Sequence, residues 1–283
     1  MIINPNISII DNSFFDSSFN KTIVLKFSRD NFAYSVFDSY RNMFVAFESW
    51  YFKEFWDLSQ ISKLIDENSD KIKILKQNYY KIVVIIDTPI HTLIPDEIYS
   101  FDKLKSYLTF NHFIRNNEIV LVDDISNIIS KNIYWLPLEI DVFISKYFTN
   151  YKYCHISSIF LNPIFIETDM SDKVFVNISG NTLLVIVTEA NKLKYCNTFV
   201  FKSAEDLIFY LLNMFKQLKL NPDSVPLILV GEFDKKSAIY NLIYRYIRNV
   251  SFGNRPTVFQ YFSEINNLNQ HYYFSIFNSV LCV

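Results

Sequence analysis

The sequence predicts an α/β protein in which one mixed-sheet unit is used twice. Three observations carry this expectation: a matched order of apolar runs in the two halves, polar turns between those runs, and an amphipathic helix at the equivalent place in each. From Thr22 the chain reads TIVLKFSRD, NFAYSVFDS and MFVAFESW, then a helical pattern from about Tyr51 to Asn68, then IVVIID from Ile82 to Asp87. From Asp172 it reads DKVFVNIS, NTLLVIVTE and KYCNTFVF, then a helical pattern from Ser203 to about Leu220, then PLILVGE. Both halves run strand, strand, strand, helix, strand.

Local chemistry supports each element in turn. The stretches SRDN and DSYRN in the first half, and SGN and EANK in the second, are polar turns between β-rich runs, as a meander of hairpins requires. The first helix carries an apolar stripe through Phe52, Phe55, Trp56, Ile61, Leu64 and Ile65. The second starts at Ser203, a good N-cap, with Glu205 and Asp206 in its first turn and Ala204, Leu207, Ile208, Leu211, Phe215 and Leu218 on one face. Each helix can therefore cover a sheet face. The closing HYYFSIFNSVLCV is too apolar to be a frayed end and is expected to dock on the core.

A three-strand meander followed by a helix and a strand that joins in parallel is the ribonuclease H-like order. Two copies in one chain is the arrangement of actin, sugar-kinase and Hsp70 ATPases, with nucleotide between the copies. The middle of the chain narrows this. Thr92 to His112, TLIPDEIYSFDKLKSYLTFNH, followed by NEIVLVDDI and NIYWLPLEIDVFISKYF, resembles a family of uncharacterised bacterial proteins with an actin-like ATPase fold, as does LIYRYIRNVSF from Leu242 to Phe252. The resemblance covers nearly the whole chain. It implies two lobes around a cleft, residues 1–170 and 171–283, and no established activity. More remotely the chain is similar to actin-like cytoplasmic scaffolds of bacterial secretion and pilus machines, which work largely by docking protein partners.

Composition removes several classes of function. Lysine plus arginine (27) against aspartate plus glutamate (29) gives a net charge of -2, so no broad basic footprint exists for nucleic acid. The longest apolar runs, Ile82 to Ile86 and Leu183 to Val187, are far below the ~20 residues that cross a bilayer, and no membrane insertion is expected. The start MIINPNISIIDNS lacks the basic region and cleavage site of a signal peptide. Cys154, Cys196 and Cys282 are odd in number and widely spaced, which suits a reducing, cytoplasmic setting. With three glycines in 283 residues, Gly180, Gly231 and Gly253 each standing alone, Walker-type and dinucleotide-binding loops are excluded.

The candidate cofactor-binding residues are Asn177, Gly180, Asn181, Gly231 and Glu232. Actin-like ATPases hold phosphate with two Asp-x-Gly hairpins, in which the Asp organises Mg²⁺ and the Gly admits backbone N–H groups to the phosphate. In the first copy the matching stretch is Phe27-Ser28-Arg29-Asp30-Asn31, which has no glycine. In the second it is Asn177-Ile178-Ser179-Gly180, with an amide for the carboxylate and the glycine one place late. A tight hairpin at Gly180-Asn181 is the first reading, and a surviving phosphate contact is the alternative. The adenosine-binding element of such ATPases is a glycine pair after a strand, where this chain has Gly231-Glu232. There a strand end before a helix capped by Asp234 is the plainer reading.

No catalytic residue and no metal ligand emerges. Asp87 ends a buried strand, where α/β proteins place catalytic groups, but reads first as a turn residue before Thr88-Pro89. A two-metal nuclease would need a carboxylate on the first strand, which offers Lys26 and Ser28 instead. His91, His112, His155 and His271 are scattered, and Cys154 and His155 alternate across a strand, so neither makes a zinc site. Arg245, Arg248 and Arg255, with Tyr244 and Tyr246, form the one local basic cluster, suited to a protein partner or simply a solvated face. The expected function is that of a non-enzymatic actin-like scaffold with a degenerate nucleotide site, no bound cofactor and an unidentified protein partner. The alternative is a divergent nucleotide-binding ATPase that takes ATP.

Overall fold

Both meanders form where the alternation of apolar runs and polar turns places them. The computed structural model describes residues 4–11, 20–52, 58–112, 118–164 and 172–282. A short β1 (Ile7–Ile10) precedes the first meander, β2 (Lys21–Phe27), β3 (Asn31–Asp38) and β4 (Met43–Tyr51). Helix α1 (Leu58–Glu67) and β5 (Lys81–Ile86) complete the first copy. An insertion follows: β6 (His91–Pro95), α2 (Leu104–Thr109), β7 (Glu118–Ile125), β8 (Ser130–Pro137) and α3 (Leu138–Tyr147). The chain then returns to the first sheet through β9 (Tyr151–His155) and leaves it as α4 (Ile156–Ile164).

The second copy is β10 (Lys173–Ser179), β11 (Thr182–Glu189), β12 (Lys192–Val200), α5 (Ala204–Gln217), β13 (Leu227–Gly231), α6 (Ala238–Tyr246) and β14 (Val250–Phe252). Four short pieces follow among the described residues: β15 (Gln260–Tyr261), α7 (Ser263–Asn266), α8 (Phe274–Asn278) and a 3-10 turn (Ser279–Cys282). The first sheet runs β1-β4-β3-β2-β5-β9 and the second β12-β11-β10-β13-β14, while β6-β8-β7 form a small sheet of their own. From β4 to β9 and from β12 to β14 the order is the same. In both, the first meander strand pairs parallel with the strand after the helix, β2 with β5 and β10 with β13. The duplication read from the sequence is therefore a duplication of topology.

The first helix departs from its expected span. Tyr51 stays in β4, paired with Asn31, and the Phe52 amide still donates to the Asp30 carbonyl at 2.8 Å. Sheet pairing thus holds the chain extended where the apolar spacing alone suggests a helix. Phe55 and Trp56 lie outside the described residues, and the buried stripe of α1 is Leu58, Ile61, Leu64 and Ile65. The second helix keeps its cap, with the Asp206 amide donating to Ser203 Oγ at 3.1 Å. Asp234 does not cap α6. Its carboxylate closes the turn before it by accepting from Lys236 N at 2.9 Å, and Ser237 is the cap, accepting from Tyr240 N at 3.1 Å.

Two of the three cores lie one on each sheet, under α1 and α3 and under α5 and α6. The third joins the copies: Val24, Phe47 and Val83 of the first sheet meet Leu184, Ile186 and Val230 of the second, with α4 and α8 packed between. The closing segment docks as its composition demands. Tyr273, Ile276 and Phe277 are buried, and the Tyr273 and Phe277 rings sit 4.4 Å from Phe47 and 4.9 Å from Phe44. The closing segment lies against the first copy, since β15 pairs with β4 and α8 packs among first-copy residues. Among the described residues no helix is long and apolar enough to cross a membrane.

Candidate functional site

The two first hairpins, β2–β3 and β10–β11, meet tip to tip between the sheets. In the first, Ser28 N donates to Asn31 O at 2.9 Å, and Ser28 Oγ donates to the Asp30 carboxylate at 3.1 Å. In the second, Gly180 takes the left-handed conformation at φ 54°, while Asn181 is not among the residues with positive φ. The hairpin therefore needs one left-handed residue, supplied by glycine. That glycine also admits its neighbour: a Cβ at Gly180 would fall 2.2 Å from Asp30 Oδ2. The carboxylate of one hairpin occupies the space that the missing side chain of the other leaves free.

Beneath this contact lies a buried ion pair. Lys26 is 2% exposed and Asp87 3%, with Nζ 3.2 Å from Oδ2. Ser179 Oγ donates to the same Oδ2 at 2.8 Å and accepts from Lys26 Nζ at 3.2 Å, so β2, β5 and β10 share one polar junction. Asp87 is more than a turn residue: its amide continues the β2 ladder by donating to Phe27 O, and its side chain is the counterion of Lys26. Glu232, half-buried, accepts from Tyr273 N at 3.3 Å, and Tyr273 OH is 3.2 Å from Tyr51 OH.

Electrostatics here favours the cation. Burial alone would lower the Lys26 pKa, but the carboxylates of Glu232, Asp87 and Asp30 outweigh it and hold the ammonium above the ordinary lysine range. Burial pushes the carboxyl of Asp30 up against the pull of Lys26, and Asp87 pushes it further. Glu232 is raised in the same way, by burial first and by Asp30 and Asp87 in addition. Three carboxylates surround one ammonium.

Of the candidate residues Asn177, Gly180, Asn181, Gly231 and Glu232, Gly180 meets Asp30 at the hairpin contact, Asn181 follows it in the same turn, Gly231 pairs with Ile178 and Glu232 acts on Lys26. Asn177 shares a strand face with Ser179, which points at Lys26. Gly231 sits opposite Ile178 at φ 124°, where a Cβ would lie 2.0 Å from the Ile178 carbonyl oxygen, so close approach of two strand backbones requires glycine there. Sequence reasoning singled out these residues and missed their connectors, because Ser179 reads as an ordinary strand end and Lys26 only as the absence of a carboxylate.

A second polar cluster was also hidden. His91 and His155, scattered in sequence, lie side by side with ring centroids 4.4 Å apart and planes tilted by 32°. Asn132 joins them to the start of α4, accepting at Oδ1 within 3.1 Å of His91 Nδ1 and donating to Ser157 and Ser158. Asp123 accepts from His155 N and from Tyr134 OH, and burial pushes its carboxyl up to about 6. The basic cluster is split. Arg245 and Arg248 are exposed near the end of α6 with Tyr244 and Tyr246, whereas Arg255 is buried elsewhere. Among the described residues no group of three or more His, Cys, Asp or Glu is placed to hold a metal ion.

Comparison with solved structures places this architecture. A protein of Bacteroides thetaiotaomicron with an actin-like ATPase fold and unknown function superposes with a TM-score of 0.75 at 21% identity, over 85% of this chain and 93% of its own. A chain of the PilM-PilN type IV pilus biogenesis complex gives 0.59 at 9% identity, over 90% and 96%. The ethanolamine utilization protein EutJ of Carboxydothermus hydrogenoformans gives 0.51 at 9%, over 86% and 87%. At these identities the likeness is one of fold. A search of the curated proteins finds no match. The fold is that of the actin-like ATPases, and with a family model matching residues 11–250 the chain belongs to the proteins of unknown function DUF3822.

Proposed function

We propose that this chain is a non-enzymatic scaffold of actin-like fold that works by binding a protein partner, and that its nucleotide cleft is degenerate. The observation that carries the reading is the closure of the hairpin tips by Asp30 on Gly180 over the Lys26–Asp87–Ser179 junction. A nucleotide's phosphates would have to enter beside carboxylates that already outnumber the local cation. Like charges 4 Å apart repel by about 4 kcal/mol at an effective dielectric near 20. The partner-binding half is supported by the PilM-PilN complex, in which a protein of this fold belongs to an assembly.

A second reading, a divergent nucleotide-binding ATPase, draws on Gly180 and Gly231, which keep positive φ at the edge of the same cleft. It requires Asp30 to leave Gly180 and a divalent cation to offset the carboxylates. Melting at millimolar Mg-ATP separates the two. A ligand at 100 times its Kd adds about 2.7 kcal/mol, a melting shift of roughly 5–10 °C for a chain of this size. The scaffold reading expects less than about 2 °C. A full shift that Asn177→Leu abolishes would favour the nucleotide-binding alternative instead.

A further inference from the structure

Arg255 lies between β14 and β15 and lines a cavity of about 460 Å³ with Thr257, Gln260, Tyr261, Asn266 and Gln270. Although it lines a cavity, the residue is only 2% exposed. Its guanidinium lies 4.8 Å from the Tyr261 ring centroid and 5.2 Å from that of Phe277. Nη1 donates to Ile265 O at 2.8 Å and Nη2 to Leu268 O at 2.9 Å, while Nε, also buried, has no acceptor. Arginine carries five N–H donors, so these two bonds leave the fork incompletely used.

Its charge is also uncompensated. Among the described residues no carboxylate forms an ion pair with Arg255, and carbonyl oxygens and ring faces orient a cation without neutralising it. Burial correspondingly pulls its pKa below the ordinary arginine value. A buried charge without a counterion costs several kcal/mol. The rest of the lining named above is hydroxyl, amide and phenol, able to donate to an anion and free of the carboxylates that would repel one.

We propose that this cavity is an anion site for a carboxylate, with Arg255 as its counterion and the surrounding amides and hydroxyl as additional donors. One guanidinium neutralises one negative charge, and its planar fork matches the two oxygens of a carboxylate. A phosphate dianion would leave a net buried charge. The cavity volume lies within the range of small-ligand sites, so it takes either a free organic acid or an acidic side chain of a bound peptide. The inference does not depend on whether the hairpin cleft binds nucleotide.

The test follows the Arg255 Nε–H resonance of the isotope-labelled full chain, identified by its loss in Arg255→Lys. If that variant does not fold, the displacement of the resonance in Gln270→Glu, a change at an exposed lining position, identifies it. The chain is titrated with acetate, glutamate, the blocked peptide acetyl-Ala-Glu-Ala-amide and inorganic phosphate, with sodium chloride at matched ionic strength as control. Expected is a saturable shift with the carboxylates and none with chloride. Gln270→Glu should weaken carboxylate binding about tenfold or more by placing a like charge at the mouth. Tighter binding of the blocked peptide than of glutamate assigns the carboxylate to a peptide side chain, and the reverse order assigns it to a free acid. Saturation by phosphate at lower concentration than by any carboxylate overturns the assignment of ligand class, and the absence of a saturable shift with any of these anions overturns the site.

Discussion

Lys26 keeps its charge in a place that exposes 2% of it, because carboxylates from three other stretches of chain converge there. Removing one partner of such a pair leaves the other buried and uncompensated, which typically costs 3–5 kcal/mol, or about that for Lys26→Met in urea unfolding. Lys26→Met with Asp87→Leu should recover part of the loss, since an apolar pair of similar volume replaces both charges while Asp30 and Glu232 still lack their cation. Asp30 supplies a pH test. Its folded pKa is raised by burial, so the folded chain binds this proton more tightly than the unfolded chain, and stability falls as pH rises from the ordinary carboxyl value through the folded one. Asp30→Asn should therefore be more stable than wild type near pH 7, with the advantage vanishing below about pH 4. Denaturant melts at the two pH values check this, and an advantage that persists in acid would assign the effect to packing. Asp87 and both hairpin stretches stood out in the sequence, but their pairing did not, because Ser179 stands 153 residues from Lys26 and nothing local marks either as a partner of the other.

Strands and turns, by contrast, were legible, since alternation and polar turns act over a few residues: every meander strand of both copies forms where its apolar run lies. The start of α1 was not, because pairing of Tyr51 with Asn31 overrides the helical spacing of Phe52, and β6 meets β9 and β12 only in three dimensions. The two hairpin-linked glycines give unequal expectations. At Gly231 an added Cβ meets the Ile178 carbonyl, a backbone atom that cannot move without breaking the β10–β13 pairing, whereas at Gly180 it meets the end of a flexible Asp30 side chain. Gly180→Ala should cost about 1–2 kcal/mol for its left-handed backbone, and Gly231→Ala more, with loss of soluble folded protein as the extreme result. His91 carries a further prediction for β6. Burial lowers its pKa to about 4, so the unfolded chain takes up a proton that the folded chain refuses, and this contribution to stability, complete above about pH 6.5, is lost as pH falls toward 4. His91→Gln should lose at most about 2 kcal/mol less than wild type between pH 7 and pH 5.

At the scale of the molecule, the duplicated sheets are joined twice, by the polar junction at the hairpin tips and by the apolar core that α4 and α8 complete. The sequence indicated that the closing segment docks, but not that it returns to the first copy, since a run of apolar residues states that it will be buried and not against what. Phe277 shows the consequence. Its ring is fully buried, 4.9 Å from Phe44, 5.8 Å from Phe47 and 5.5 Å from Tyr261, so one side chain ties the end of the chain to β4 and to the wall of the Arg255 cavity. Phe277→Ala should cost about 3–5 kcal/mol, the usual price of truncating a buried phenyl ring. Because the same core includes Leu184, Ile186 and Val230 of the second sheet, that loss should be shared by both copies. The three tryptophans, at positions 50, 56 and 135, all lie in the first half, so their fluorescence reports the first copy and its insertion, while far-ultraviolet circular dichroism reports the whole chain. In Phe277→Ala both signals should move to lower denaturant together, as one cooperative transition. If fluorescence stays at the wild-type midpoint while dichroism shifts, the closing segment stabilises the second copy alone and the shared core does not couple the two.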